Sequence, residues 1–186
     1  MTNVTDPLTE AEGREGLKLA RRSLETFVRT GRRLQHPEAF TGGLAEPFGA
    51  FVTIHESSGA LRGCIGHMIG DGPLGDLLID LGISAGTRDP RFDPVREPEL
   101  AGLKYEISVL SPMKKTHARD VTPGLHGLLI RSGHFSGVLL PQVAVEWGWG
   151  REEFLAETCR KAALPKDAWK ETSTDIYTFT AQIFNE

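Results

Sequence analysis

Residues 51–67 run Phe51-Val52-Thr53-Ile54-His55-Glu56-Ser57-Ser58-Gly59-Ala60-Leu61-Arg62-Gly63-Cys64-Ile65-Gly66-His67, two extended stretches around a turn. Phe51 to His55 is rich in β-branched and aromatic residues, Ser57-Ser58-Gly59 has the composition of a turn, and Leu61 to Met68 resumes an extended pattern. This predicts an antiparallel hairpin. Upstream, Thr9 and Glu12 have the spacing of a capping box, and Leu17, Ala20, Leu24, Phe27 and Val28 follow at helical spacing, which predicts an amphipathic helix from Glu10 to Thr30.

Downstream, Pro73 suits a first helical turn, Leu74, Leu77, Leu78, Leu81 and Ala85 form a second stripe, and Asp89-Pro90 closes it before a loop holding Pro94 and Pro98. Tyr105, Ile107 and Val109 alternate with Lys104, Glu106 and Ser108, a strand with Glu106 on its polar face. His126 to Arg131 and Phe135 to Leu140 flank Ser132-Gly133-His134 as another hairpin. Arg151 to Ala163 reads as a helix ended by Leu164-Pro165. Alternation returns from Ile176 as a final strand whose last residues break phase. Hairpins with interspersed helices, and no Gly-rich nucleotide fingerprint, point to an α+β fold with a mainly antiparallel sheet rather than a doubly wound parallel one.

The chain has 186 residues, 39% of them hydrophobic. A domain of that size buries roughly 70% of the surface its unfolded chain exposes, so it needs no staple. The longest uncharged run, Ser132 to Val145, is broken by Gly133, Gly137 and Pro141 and falls short of the ~20 apolar residues of a spanning helix. Acids and no base precede Arg14, unlike a secretory leader, so a cytoplasmic location and two free thiols, Cys64 and Cys159, are expected. Formal charge is −4, yet Arg14 to Arg33 carries Arg14, Lys18, Arg21, Arg22, Arg29, Arg32 and Arg33 against Glu15 and Glu25. That basic helix is either a solvated face or a phosphate-binding one for RNA.

The densest chemistry lies in Arg62-Gly63-Cys64-Ile65-Gly66-His67. Gly63 and Gly66 let another backbone or a ligand approach closely, and Cys64 is a candidate nucleophile if Arg62 or His67 favours its thiolate. In an extended strand Cys64 and His67 point to opposite faces, so a direct pair needs a bend or bulge between them. The bland reading is a packed Cys in a kinked strand. Arg88-Asp89-Pro90-Arg91-Phe92 either offers Arg91 to an anion or staples a loop through Asp89. Trp147, Trp149 and Trp169 are an aromatic platform or simple packing. Cys64-x-x-His67 supplies only two ligands, so neither metal nor other cofactor is expected.

The hexapeptide Leu61-Arg62-Gly63-Cys64-Ile65-Gly66 resembles the hallmark of the AMMECR domain family. The resemblance continues through Asp89-Pro90-Arg91-Phe92-Asp93-Pro94-Val95, Glu106-Ile107-Ser108-Val109-Leu110-Ser111-Pro112, Leu139-Leu140-Pro141-Gln142-Val143-Ala144, Arg151-Glu152-Glu153-Phe154-Leu155 and Tyr177-Thr178-Phe179. It implies one domain over 1–186, built of two intertwined subdomains, the second smaller, with no boundary visible in the sequence. It further implies a cleft lined by the Arg-Gly-Cys segment, and Memo-like and radical-SAM proteins as partners. The chain departs from the family's usual residues at Gly86, where Ala is common, and at Ala163, where Gly is common. The resulting expectation is a ligand-binding or accessory module for a small anionic or peptide ligand, using Arg62, Gly63, Cys64, Gly66, His67, Asp89, Arg91, Glu106 and Gln142. The alternatives are an enzyme with Cys64 as nucleophile or redox centre, and RNA or nucleotide binding.

Overall fold

A computed structural model describes residues 7–36 and 38–186; Met1 to Asp6, which belong to the acidic start read above, lie outside the described residues. The chain divides into two compact units, one formed by the chain up to Ser111 together with Gln182–Glu186, the other by Pro112–Ala181.

In the first unit, α1 spans Glu10–Thr30, the range that periodicity predicts, with the Thr9–Glu12 capping box formed and Gly31 closing it at φ 69°. It packs on α2 (Leu74–Thr87), and both helices cover one face of a sheet ordered β2-β1-β3-β8. The strands are β1 (Ala50–Glu56), β2 (Leu61–His67), β3 (Leu103–Leu110) and β8 (Ala181–Asn185). Ala50, Val52 and Ile54 of β1 stand opposite Val109, Ile107 and Tyr105 of β3, and all six are buried against the helices. Alternation therefore turns Phe51, Thr53, His55, Lys104 and Glu106 to the other face. Ser108 shares that phase yet is buried.

Leu17, Ala20 and Leu24 of α1 enter this core with Leu74, Leu78 and Leu81 of α2 and Phe184 of β8. Leu24 fills the space beside Gly86: a Cβ there would press on the Leu24 side chain, which accounts for glycine at a position where the resemblance leads one to expect Ala. Gln182 ties the ends of this unit together, its side chain accepting from the Leu8 amide at 3.0 Å and donating to the Leu8 carbonyl at 2.9 Å.

The second unit holds a sheet ordered β4-β7-β5-β6, from β4 (Lys114–Lys115), β5 (Gly127–Ser132), β6 (Phe135–Leu139) and β7 (Asp175–Phe179). Its helices are the short α3 (Pro141–Glu146) and α4 (Arg151–Lys161). Phe154, Leu155 and Cys159 of α4 are fully buried against Leu128, Ile130 and Ile176. Beyond α4, Ala163 sits at φ 58°, the left-handed region that disfavours a side chain.

Two expectations need correction. The single final strand is two strands in different sheets: β7 ends at Phe179 and β8 begins at Ala181, so the phase break in the sequence marks where the chain passes from one sheet to the other. The even alternation assumed for residues 61–67 also fails at one point. Ile54 pairs with Gly63 but His55 with Leu61, so Arg62 is an extra residue, a bulge.

Candidate functional site

The bulge sends Arg62 into the interior, where it is 8% exposed. Its Nε donates to Glu99 Oε2 at 2.9 Å and its Nη2 to Glu99 Oε1 at 3.4 Å. That contact first, and the Arg96 amide after it, hold the Glu99 carboxyl below its ordinary range. Arg62 also borders a shallow cavity of about 430 Å3 with Arg96 and Glu99.

Beyond the bulge, Cys64 lies on the edge strand β2, whose outward amides need partners. Asp89, just past α2 and almost wholly buried, accepts the Cys64 amide at 2.9 Å. The same carboxylate accepts Arg91 Nε at 2.9 Å, Nη2 at 2.7 Å and the Arg91 amide at 3.1 Å. Arg91 first, and the two amides, hold the Asp89 carboxyl well below the usual range. Of the two roles open to Arg91 in the sequence, the structure displays the stapled one, though the guanidinium stays half exposed above the Phe92 ring. Gly63 is a true close-approach position, since a Cβ there would overlap the Ala85 carbonyl oxygen. Phe51 lies over Gly66 in the same way.

Thr53 stands opposite Cys64 on one side and Glu106 on the other. Cys64, Thr53 and Glu106 thus form a row across three strands, on the face turned away from the helices. The Thr53 hydroxyl donates to Cys64 Sγ at 3.3 Å. Cys64, Thr53 and Glu106 are each half-buried. Among the described residues the Glu106 carboxylate has neither ion pair nor hydrogen bond, while both nearby arginines are taken.

The bend that a Cys64–His67 pair would need is absent. Thr53↔Cys64, Val52↔Ile65, Phe51↔Gly66 and Ala50↔His67 pair without a slip, so Cys64 and His67 face opposite ways and His67 is exposed at the strand end. Gln142 belongs to α3 in the second unit, where its Oε1 is buried with no partner among the described residues. Trp147 is exposed and stacks on Trp149, with ring centroids 5.9 Å apart.

The basic helix is laced with acids. Arg21 pairs with Glu186 and Glu25, Arg29 with Glu25 and Glu97, Lys18 with Glu15, and Arg33 with Asp76 and Asp80. Only Arg14, Arg22 and Arg32 hold no carboxylate among the described residues. Sequence reasoning also missed Thr53 and Glu99. Hairpin register places the first opposite Cys64, whereas Glu99 lies 37 positions from Arg62 with no local signal.

A family model described as AMMECR1 matches residues 17–184. A protein from Thermococcus gammatolerans is 45% identical over 180 residues, covering 91% of this chain and 88% of its own length. One from Methanothermobacter thermautotrophicus is 43% identical and covers 97% of each chain. The crystal structure of an uncharacterised protein, PH0010 from Pyrococcus horikoshii, superposes with a TM-score of 0.86 at 41% identity, covering 97% of this chain and 94% of that one.

Proposed function

We propose, for a chain that belongs to the AMMECR1 family, that it works as a binding module whose recognition surface is the row Cys64–Thr53–Glu106. Its ligand presents N–H donors, as a peptide or a primary amine does. One observation carries this reading: the row offers a carboxylate with no partner among the described residues, while Arg62 and Arg91, the groups an anion would need, already hold Glu99 and Asp89. An incoming anion would meet guanidinium groups whose Nε and Nη2 edges are already filled by a carboxylate, which leaves it only the Nη1 side and a neutralised charge. A ligand amide or ammonium would instead complete a half-buried acceptor, with Thr53 and the thiol beside it to fix orientation.

The test is a thermal-shift screen of dipeptides and primary amines against phosphates and carboxylates. Donor-bearing compounds raise the melting temperature, and Glu106→Gln removes that rise without lowering the melting temperature of the free protein. Stabilisation by anions alone, or by compounds indifferent to Glu106→Gln, overturns the reading. A second reading, Cys64 as nucleophile, is favoured by the half-exposed thiol whose sulfur accepts a hydrogen bond from the Thr53 hydroxyl. It predicts that Cys64→Ser abolishes turnover of a bound compound while leaving its binding intact.

A further inference from the structure

The second unit contains a cavity of about 600 Å3 beside its edge strand β4, within the size range of small-molecule sites. One wall, β4 and the turn after it, carries Lys115 and His117. The other, the segment before β7 and the first residue of that strand, carries Trp169, Glu171, Thr174 and Asp175. A basic wall therefore faces an acidic one.

Three details make this more than a dent in the surface. Thr174 is nine-tenths buried and its hydroxyl has no hydrogen-bond partner among the described residues, a costly state that a bound polar atom would relieve. Lys115 Nζ meets Asp175 at 2.6 Å, but the two side chains are 65% and 38% exposed, and pairs so exposed contribute little, so Lys115 can exchange one carboxylate for another cheaply. Trp169 packs on the core, and the Lys170 ammonium lies over its ring at 5.0 Å; Lys170 is a flexible surface side chain that a ligand ammonium can replace there.

We propose that this cavity binds a small zwitterion, a free α-amino acid. The ligand carboxylate lies against Lys115 and His117, its ammonium against Glu171 and the Trp169 ring, and Thr174 bonds a ligand polar atom. The site is independent of the row at Cys64, and neither proposal needs the other.

The test begins with a Trp147→Phe/Trp149→Phe variant, which leaves Trp169 as the reporter. The common L-amino acids are titrated singly, with calorimetry on the unmodified protein as a parallel readout should that variant fail to fold. At least one amino acid changes Trp169 emission, or releases heat, saturably with a dissociation constant below ~1 mM. Its N-acetyl and α-amide derivatives, each lacking one charge, bind at least ~10-fold more weakly. Thr174→Val weakens binding several-fold while the melting temperature holds or rises, because an unpaired buried hydroxyl has been removed. Absence of saturation up to about 10 mM for every amino acid overturns the proposal. So does equal affinity for the capped derivatives, or indifference to both Thr174→Val and Lys115→Met.

Discussion

Cys64 and Cys159 put the same side chain into opposite surroundings, one in each unit. Cys159, on α4, is wholly buried in the core that also holds Phe154 and Ile176, and burial pushes its thiol pKa up. Cys64 sits half-buried on the open face of a sheet, its amide pinned by Asp89 and its sulfur approached by a hydroxyl. The first thiol fills volume; the second is held in place yet reachable. A cysteine becomes addressable when its backbone is fixed by something other than packing of its own side chain, and here Asp89 does the fixing.

The largest effect comes from removing the pin. Asp89→Ala leaves the Cys64 amide without its acceptor and the half-exposed Arg91 guanidinium to water, and should lower stability in a urea melt by about 2 kcal/mol. An equal loss for Arg91→Ala alone would shift the credit from the strand edge to the ion pair. The pin also has a pH signature. Because the folded Asp89 carboxyl titrates below its unfolded counterpart, its stabilisation is present above the unfolded value of ~3.9 and is lost as pH falls through the folded one. The stability gap between wild type and Asp89→Asn should stay level from neutrality to about pH 4 and close below it.

Next in size, Cys159→Ser places a hydroxyl in a dry core and should cost about 1–2 kcal/mol, against less than about 0.5 kcal/mol for Cys64→Ser. Similar costs at the two sites would mean that the two thiols do not differ in packing. In native protein iodoacetamide should label Cys64 first, while Cys159 waits for an opening of its unit. Ala163→Gly, relieving a left-handed alanine at the end of the Cys159 helix, should stabilise by about 1 kcal/mol and slow Cys159 labelling without touching Cys64. Smallest is Thr53→Val: a loss of about 0.5 kcal/mol or less in the melt, but a measurable change in the Cys64 labelling rate, since one hydrogen bond to sulfur is gone.

What could be read from the sequence was whatever is encoded within a few residues. The Thr9–Glu12 box and the apolar stripe placed α1 to the residue, and the turn at Ser57-Ser58-Gly59 placed the hairpin. The alternation of residues 103–110 put Glu106 on the face away from the helices. The bulge at Arg62 escaped, because a one-residue slip leaves composition unchanged and shows only as register against a partner strand. So did the occupancy of both arginines. Their charge is visible in the sequence, but the Glu99 partner of Arg62 reaches it only once a loop has folded back. A left-handed Ala163 could not be read from alanine itself, which carries no sign of the turn it is made to adopt.

Gln182 clamps Leu8, and Phe184 completes a core begun by α1, yet between Ser111 and Gln182 the chain builds an entire second unit. On the ribosome this imposes an order. The second unit has all its strands and helices once residue 181 has emerged, whereas the first must wait, with three strands and two helices made and an open edge along β3, until β8 arrives. Until then β3 presents unpaired amides and the space for Phe184 is empty. The first unit is the earlier to be synthesised and the later to close, and its exposed strand edge is where a chaperone, or another nascent chain, would find it.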